Sequence, residues 1–244
     1  DYTVSDGTDT ATASVAVAVE TPPALVSDDF DDAALASVWS FAGPAGTAAS
    51  LGSDGSDAFA VLSVPAGDFN VWGSDRGARL MQDAPDGDLS LSARFLSTPT
   101  VAYQMQGLVI EADADDWIRY DTYFDGTRLM AFAAVTVDGV SSHRFNVALP
   151  VDAAPYLRVD RAGDQWTFLW STDGESWTTA GSFAHATTVS AAGVFAGSVG
   201  AADGYEARVD WFQTADAPLD VEDPPNAPPE PGDDVLVAAV DTPL

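Results

Sequence analysis

Two long stretches of the chain alternate apolar and polar residues with a period of two, and this pattern constrains the fold more than any other feature. The stretches cover residues 103–126 and 156–177. Each consists of two alternating runs joined by an acidic or glycine-containing turn, as in hairpins of a half-buried antiparallel sheet. No stretch keeps an apolar period of 3.6 residues for more than two turns. The sequence therefore predicts an all-β fold.

The order and spacing of these motifs resemble a concanavalin-A-like antiparallel β-sandwich, or jelly roll, and in particular the C-terminal module of family-43 β-xylosidases. The resemblance includes an acidic opening around Phe30 followed by Trp39, and a closing strand around Trp211. It implies that residues 24–214 form the sandwich, with the first and last strands side by side. It leaves the function open, because one fold hosts many unrelated sites.

The segments on either side of the sandwich differ from it in composition. Residues 1–21 have a hairpin pattern and resemble the end of a cadherin-like or Ig-like repeat of bacterial adhesins. Residues 215–232 are rich in proline and acid, which predicts an extended linker. Residues 233–244 resemble the start of a further repeat. We therefore expect a piece of a large secreted or cell-surface bacterial protein, with neighbouring repeats as partners.

The composition excludes several partners. Thirty-eight acidic residues against nine basic ones give a net charge of −29, a field that repels nucleic acid and anionic membranes. No apolar run is long enough for membrane insertion. The acidity itself has three readings: a solvated surface suited to high salt, calcium binding, or attraction to a cationic partner. The absence of cysteine excludes disulfides and thiolate metal sites.

A structural calcium ion is the cofactor that the sequence suggests. Acidic residues cluster in the opening segment, and the resemblance places the closing strand beside it. Crowded carboxylates favour a hard cation, although exposed acidic residues can equally be solvated. The candidate calcium ligands are Asp28, Asp29 and Asp210.

The sequence offers no catalytic constellation. The acidic run that begins at Glu111 is a near match to the Glu-x-Asp-x-Glu motif of laminarinase-type jelly rolls, but Asp115 stands where the last Glu belongs. The run leads directly into Trp117 of the next strand, so we interpret it as a hairpin turn. Neither His143 nor His185 lies near a serine in a nucleophile motif. We expect a protein without enzymatic activity.

Carbohydrate binding needs aromatic faces for the C–H surface of a sugar and planar polar groups for its hydroxyls. Alternation places Trp166, Phe168 and Trp170 toward the core, so these rings are interpreted as structural. The remaining candidates are expected to form one polar platform with a loop tryptophan beside it, the alternative being ordinary cross-strand pairs on a solvated sheet face. They are Trp72, Gln104, Gln106, Arg119, Asp121, Tyr123 and Arg158.

These observations predict a non-catalytic, lectin-like module that attaches its parent adhesin to a polysaccharide or a glycosylated surface. Two alternatives remain open at the level of sequence. The first is a structural spacer without a ligand. The second is an accessory domain of a glycoside hydrolase.

Overall fold

The computed structural model describes residues 2–13, 24–55, 57–73, 75–201 and 203–219. Within these ranges the chain forms strands, turns and loops and no helix, so the all-β prediction is confirmed. No described segment is a helix with the length and hydropathy needed to cross a membrane. The C-terminal part of the predicted linker, from residue 220, and the predicted repeat at 233–244 lie outside the described residues.

The described strands range from two to eleven residues in length. Those of the N-terminal half are β1 Tyr2–Ser5, β2 Thr10–Ala13, β3 Ser40–Ala42, β4 Ala48–Asp54, β5 Asp57–Val64, β6 Gly67–Phe69, β7 Val71–Trp72, β8 Asp75–Arg76, β9 Ala78–Asp83 and β10 Leu89–Phe95. Those that follow are β11 Gln104–Glu111, β12 Trp117–Phe124, β13 Leu129–Val137, β14 Val140–Ala148, β15 Tyr156–Ala162, β16 Gln165–Ser171, β17 Thr178–Ala184, β18 Ala191–Ala201 and β19 Tyr205–Thr214.

Two antiparallel sheets stack to form a sandwich of the jelly-roll type. The seven-stranded sheet has the order β17-β16-β15-β10-β19-β5-β4. The eight-stranded sheet has the order β14-β13-β12-β11-β18-β9-β3, with β6 also pairing with β18. Strands β1 and β2 pair around Asp6 and Gly7, which confirms the hairpin predicted there; residues 14–21 of that segment lie outside the described ranges.

The core lies between the two sheets and is built from every second residue of the central strands. Tyr120 of β12 and Phe168 of β16 meet across it with ring centroids 5.2 Å apart. Trp166 and Phe168 are fully buried and Trp170 is 8% exposed, which confirms that these rings face the interior.

The opening segment pairs with the last strand, as the resemblance implied. The backbone N–H of Asp28 donates to the carbonyl of Phe212, and the N–H of Phe212 donates to the carbonyl of Asp28, both at 2.9 Å. Trp39 lies between Phe30 and Phe212, with ring centroids 5.5 and 5.3 Å away. The two ends of the unit are thereby joined at one edge of the core.

Candidate functional site

A cleft of about 200 Å³ opens on the outer face of the eight-stranded sheet. We call it the aromatic cleft, because half of the residues that line it are aromatic. The residues that define it are Asn70, Trp72, Tyr103, Arg119, Tyr123 and Phe132.

Strand alternation brings these side chains together. On β12, Ile118 and Tyr120 are part of the main core between the sheets, so Arg119 and Tyr123 point away from it. In the register between β12 and β13, Asp121 lies opposite Phe132, and directly opposed residues share a face. The predicted grouping of Arg119, Asp121 and Tyr123 on one face is confirmed.

The loop that carries Trp72 lies across this outer face. The Arg119 side chain reaches it, with Nη1 donating to the carbonyl of Val71 at 2.6 Å. The backbone N–H of Gly73 donates to Ser141 Oγ on β14 at 2.7 Å. These two hydrogen bonds fix the loop, and with it the Trp72 ring, over the sheet.

Arg119 and Asp121 form a buried ion pair under the cleft. Arg119 Nε donates to Asp121 Oδ1 at 2.8 Å, and Nη2 donates to Oδ2 at 3.0 Å. The guanidinium carbon also lies 4.7 Å from the Phe132 ring centroid and 5.7 Å from that of Phe195. Because Asp121 is fully buried and Arg119 is 4% exposed, this pair supports the cleft and is not free to bind hydroxyl groups.

Burial shapes the protonation of the cleft. Desolvation raises the pKa of the Asp121 carboxyl, and the Arg119 guanidinium opposes that shift. Desolvation likewise raises the pKa of the Tyr123 hydroxyl, against the hydrogen bond from Asn146. Asn146 Nδ2 donates to Tyr123 Oη at 3.0 Å. The phenol is therefore a neutral hydrogen-bonding group at neutral pH.

The rim of the cleft exposes aromatic surface. Trp72 is 38% exposed and Tyr103 is 50% exposed. Tyr103 lies nearly parallel to Tyr123, with centroids 6.3 Å apart and an interplanar angle of 10°, and Trp72 lies 6.3 Å from Phe132. Two ring pairs thus border a cleft smaller than the roughly 300–1,000 Å³ that encloses a drug-sized ligand, and its size suits one ring.

Tyr103 has a backbone conformation that bulky residues rarely adopt. Its φ is 64°, in the left-handed region where residues other than glycine are strained. Two backbone hydrogen bonds hold it there: its N–H donates to the Phe124 carbonyl at 2.7 Å, and its carbonyl accepts from Val199 at 3.2 Å. The fold thus holds a residue with an exposed aromatic ring in a strained backbone conformation.

Gln104 and Gln106 do not join this face, contrary to the expectation of a single platform. Gln106 lies opposite Thr122, not opposite Asp121 or Tyr123, so it points to the opposite side of the sheet from the cleft. Its Nε2 donates to the carbonyl of Ser97 at 2.7 Å, and its Oε1 accepts from Ser97 and Tyr205.

Gln104 is likewise buried and bound within the fold. Its Oε1 accepts from the backbone of Thr100 and Val101, and its Nε2 donates to the carbonyl of Gly204 at 3.0 Å. Both glutamines therefore stabilise the end of the sandwich. The expectation failed because successive side chains of β11 point to opposite faces of the sheet. Neither glutamine can therefore share a face with Met105, which lines the cleft.

Arg158 lies on the other sheet. It belongs to β15 of the seven-stranded sheet, so it cannot share a surface with Arg119 or Tyr123 of the eight-stranded sheet. Its Nε donates to Asp160 Oδ1 at 2.8 Å. The predicted platform is therefore divided between two faces of the molecule.

The predicted calcium ligands do not assemble into a metal site. Asp28 accepts from the Phe30 backbone at 2.8 Å and from Trp39 Nε1 at 2.6 Å. Asp210 is buried and pairs with Arg94 Nη1 at 2.6 Å, while Asp29 accepts a long hydrogen bond of 3.4 Å from the backbone of Asp31. No group of three acidic, histidine or cysteine side chains suitable for a metal occurs among the described residues. Calcium binding stays a prediction.

The acidic run after Glu111 is a hairpin turn, as expected. Ala112 donates to the carbonyl of Asp116 at 2.9 Å, and Asp113 Oδ1 accepts from the backbone of Asp115 at 2.8 Å and of Asp116 at 3.0 Å. Glu111 pairs with Arg79. These carboxylates close the turn and do not face a common cleft.

Sequence reasoning missed five residues that line the cleft, among them Asn70, Tyr103 and Phe132. Phe132 could have been found by pairing β13 with β12 in register, because it lies opposite Asp121. Tyr103 directly precedes β11 and Asn70 precedes β7, and their positions depend on loop conformation that no periodic pattern encodes.

Solved structures with the same fold include family-43 glycoside hydrolases. The GH43 protein BlXynB of Bacillus licheniformis matches with a TM-score of 0.63 and 18% identity, over 77% of this chain and 38% of that one. A xylan β-1,4-xylosidase of Bacillus halodurans matches with a TM-score of 0.60 and 15% identity, over 84% and 41%. A functionally unknown protein of Saccharomyces cerevisiae matches with a TM-score of 0.59 and 15% identity, over 75% and 98%.

The chain thus spans about two fifths of the two bacterial proteins. At these identities the likeness shows the concanavalin-like sandwich fold alone. None of these matches relates the flanking segments to cadherin-like or Ig-like repeats, and no curated protein sequence matches the chain. The model of a family described as protein of unknown function (DUF1349) matches residues 70–217, more than half of the chain, and the chain therefore belongs to that family.

Proposed function

We propose that the protein is a non-catalytic carbohydrate-binding module and that the aromatic cleft holds a sugar ring. The observation that supports this most is the exposure of two aromatic faces, Trp72 at 38% and Tyr103 at 50%, beside a ring-sized cleft. Most other large aromatic side chains of the described residues are buried or half-buried. Exposed aromatic rings grouped around a cavity favour a ligand site over a solvated sheet face.

The chemistry of the cleft suits a sugar. The C–H face of a pyranose ring is apolar and can stack on Trp72 or Tyr103, and the Tyr123 hydroxyl and the Asn146 amide, joined at 3.0 Å, offer planar polar contacts at its border. Each hydrogen bond to a sugar replaces one to water, so the net gain is about 0.5–1.5 kcal/mol. We therefore expect modest affinity at a single cleft.

The absence of catalysis is part of the proposal. Glu111 is bound to Arg79 and the carboxylates that follow it close a turn. Asp121, the buried carboxylate of the cleft, is held by two hydrogen bonds from Arg119. A glycosidase needs two carboxyl groups that face the scissile bond. Among the described residues, the aromatic cleft presents no such pair.

The wider setting is also proposed. We place the module in a secreted or surface-attached bacterial adhesin, with a polysaccharide or glycosylated surface as its partner and neighbouring repeats in the same polypeptide. The net charge of −29 disfavours nucleic acid or anionic membrane as an alternative partner.

One observation favours a second candidate, an accessory domain of a glycoside hydrolase. The matched GH43 structures contain a sandwich of this fold as about two fifths of a longer chain. This candidate predicts a hydrolase domain in the same polypeptide, which the surrounding reading frame would reveal. A spacer without a ligand is the third possibility and predicts no carbohydrate binding at all.

Affinity electrophoresis and calorimetry against xylan, xyloglucan and mixed-linkage β-glucan test the proposal. We expect binding by the wild type and a loss of about tenfold or more, equivalent to 1.4 kcal/mol, in Trp72→Ala and in Tyr103→Ala. Phe41→Ala is the matched control, because Phe41 is 39% exposed but lies outside the cleft. Equal affinity of all four proteins would exclude the aromatic cleft, and absence of binding by the wild type would favour the spacer.

A further inference from the structure

A second cleft, of about 300 Å³, opens on the outer face of the seven-stranded sheet. We call it the polar cleft. The residues that define it are Ser90, Ser92, Arg158, Trp177, Trp211 and Gln213. Because it belongs to the opposite sheet, it is separated from the aromatic cleft by the full thickness of the sandwich.

The register of three neighbouring strands builds the floor of the polar cleft. Ser92 of β10 lies directly opposite Arg158 of β15 on one side and Gln213 of β19 on the other. Opposed residues point to the same face, so a guanidinium, a hydroxyl and an amide form a row across the sheet. Ser90 stands on the same face, two residues from Ser92.

The polar groups of this floor have unused hydrogen-bonding capacity. The side chains of Ser90, Ser92 and Gln213 form no hydrogen bond with any other described residue, although all three are half-buried. Arg158 uses only its Nε, toward Asp160, among the described residues. In the aromatic cleft, by contrast, the Arg119 guanidinium is already engaged by Asp121 and Val71. These half-buried groups stay accessible and can exchange hydrogen bonds with the hydroxyls of a ligand.

Two tryptophans contribute aromatic surface to the polar cleft. The Arg158 guanidinium lies 5.8 Å from the centroid of the Trp177 ring. Trp211 is 8% exposed, and its Nε1 is buried without an acceptor among the described residues. Leaving such a donor unpaired costs about 1–3 kcal/mol, and a bound hydroxyl or a water molecule would supply the missing acceptor.

The local charge selects for a neutral ligand. The carboxylate of Asp160 pairs with Arg158 at 2.8 Å, so the floor carries no net charge. The chain as a whole carries −29 and repels polyanions. Neutral hydroxyls can accept from the terminal nitrogens of Arg158 and exchange hydrogen bonds with Gln213 and the serines.

We infer that the polar cleft is a second carbohydrate-binding site, specific for neutral oligosaccharides, and that the protein binds two sugar chains on opposite faces. The inference rests on the proposed function for its ligand class, while its contacts are separate. Two outward-facing sites let one module cross-link two polysaccharide chains, or gain affinity by binding one multivalent surface.

The test compares two variants that each leave the other cleft intact. Ser92→Ala/Gln213→Ala removes the unused polar groups of the polar cleft and leaves the Arg158–Asp160 pair in place. Trp72→Ala removes one wall of the aromatic cleft. Thr167→Ala, on the outer face of the same sheet but outside the polar cleft, is the matched control, and thermal unfolding verifies that every variant is folded.

Calorimetric titration with xylohexaose, cellohexaose and laminarihexaose measures the number of sites, with a tri-galacturonate as the anionic comparison. We expect two sites for at least one neutral sugar, an affinity loss of about tenfold at one of them in Ser92→Ala/Gln213→Ala, and no binding of tri-galacturonate. The wild type, but not this variant, should also make solutions of the matching polysaccharide turbid by cross-linking.

The outcomes separate the two proposals. One site that Trp72→Ala removes and Ser92→Ala/Gln213→Ala leaves unchanged would overturn this inference and keep the proposed function. One site that only Ser92→Ala/Gln213→Ala weakens would keep the polar cleft and remove the aromatic one. Tighter binding of tri-galacturonate than of neutral sugars would overturn the specificity, and no binding of any sugar would overturn both.

Discussion

Arg119 and Asp121 stand two residues apart on β12 and form a two-point ion pair on its outer face, with contacts of 2.8 and 3.0 Å. Arg119 continues past the pair to the Val71 carbonyl at 2.6 Å. The same side chain therefore neutralises a buried carboxylate and holds the loop that carries Trp72. Arg119 therefore links the stability of the sheet to the position of the cleft wall.

Removal of the Arg119 charge should destabilise the fold strongly. Arg119→Met leaves Asp121 buried without its partner, and breaking a buried pair in this way costs about 3–5 kcal/mol of the free energy of unfolding. Urea denaturation measures the loss. Arg119→Lys keeps the charge but not the two-point geometry and should recover only part of it.

A double variant separates stability from position. Arg119→Met/Asp121→Leu removes both charges, and we expect it to recover most of the lost stability, because apolar residues often replace buried pairs without cost. Its affinity for sugar should nevertheless stay below that of the wild type, because no side chain then holds the Val71 carbonyl. An Arg119→Met protein that unfolds at the same urea concentration as the wild type would show that the pair contributes no net stability.

Asp28 should stabilise the opening segment through hydrogen bonds and not through calcium. Asp28→Ala removes the acceptor of the buried Trp39 Nε1, now at 2.6 Å, and of the Phe30 N–H at 2.8 Å. The expected loss is about 1–3 kcal/mol in the free energy of unfolding. Asp29→Ala is the control, with an expected change within about 0.5 kcal/mol.

The two variants are compared with the wild type by thermal unfolding in chelator and in millimolar calcium. The Asp28→Ala loss should be the same in both solutions. If calcium raises the midpoint of the wild type and Asp28→Ala abolishes that rise, Asp28 is a calcium ligand and the hydrogen-bond account is wrong.

The turn beside the polar cleft should lose stability in acid. The backbone N–H groups of Ser176 and Glu175 and the Ser171 hydroxyl lower the pKa of the Asp173 carboxyl to about 2, from an unfolded value of 3.8. A lowered folded pKa gives stability that is present above pH 3.8 and is lost as the pH falls toward 2. The stability difference between wild type and Asp173→Asn should therefore shrink across this window.

NMR titration of the Asp173 carboxyl carbon checks the pKa directly, and thermal unfolding between pH 5 and 2 checks the linkage. Asp164→Asn, in another exposed turn of the same sheet, is the control. A midpoint for Asp173 near the ordinary value would show that these hydrogen bonds do not persist in solution. Because this turn leads into Trp177, its loss in acid should also weaken binding at the polar cleft.

The alternating strands made most of the fold predictable. A period of two alone predicts that Trp166 and Phe168 face the core and that Arg119 and Tyr123 share one outer face, and the structure confirms both predictions. The pairing of the opening and closing strands followed from the resemblance and is confirmed by the Asp28–Phe212 bridge. These features depend on local pattern and on the order of motifs.

The composition of the sites was less predictable, because it depends on which strands become neighbours. The sequence placed Arg158 with Tyr123, but β15 pairs with β10 and β16 in the other sheet. It grouped Asp28 with Asp210 as ligands, but Trp39 and Arg94 approach these carboxylates first. Tertiary partners of this kind are invisible to periodicity.

The backbone strain at Tyr103 should mark it as a functional residue. A left-handed conformation costs an L-residue roughly 1–2 kcal/mol and costs glycine almost nothing, while truncation gives up the buried half of Tyr103 and its stacking on Tyr123. These two effects oppose each other, so the free energy of unfolding of Tyr103→Gly should lie within about 1 kcal/mol of that of the wild type. The variant should bind the cognate sugar at least tenfold more weakly, as calorimetry would measure.

Asp138→Gly is the matched control, because Asp138 has a φ of 50° in the turn between β13 and β14 and lies outside the aromatic cleft. It should relieve similar strain and leave sugar affinity unchanged. If both variants stay within about 1 kcal/mol of the wild type and only Tyr103→Gly loses affinity, the fold retains a strained tyrosine for its ligand. Should Tyr103→Gly lose stability in proportion to affinity, the ring is a packing element and its strain has a structural origin.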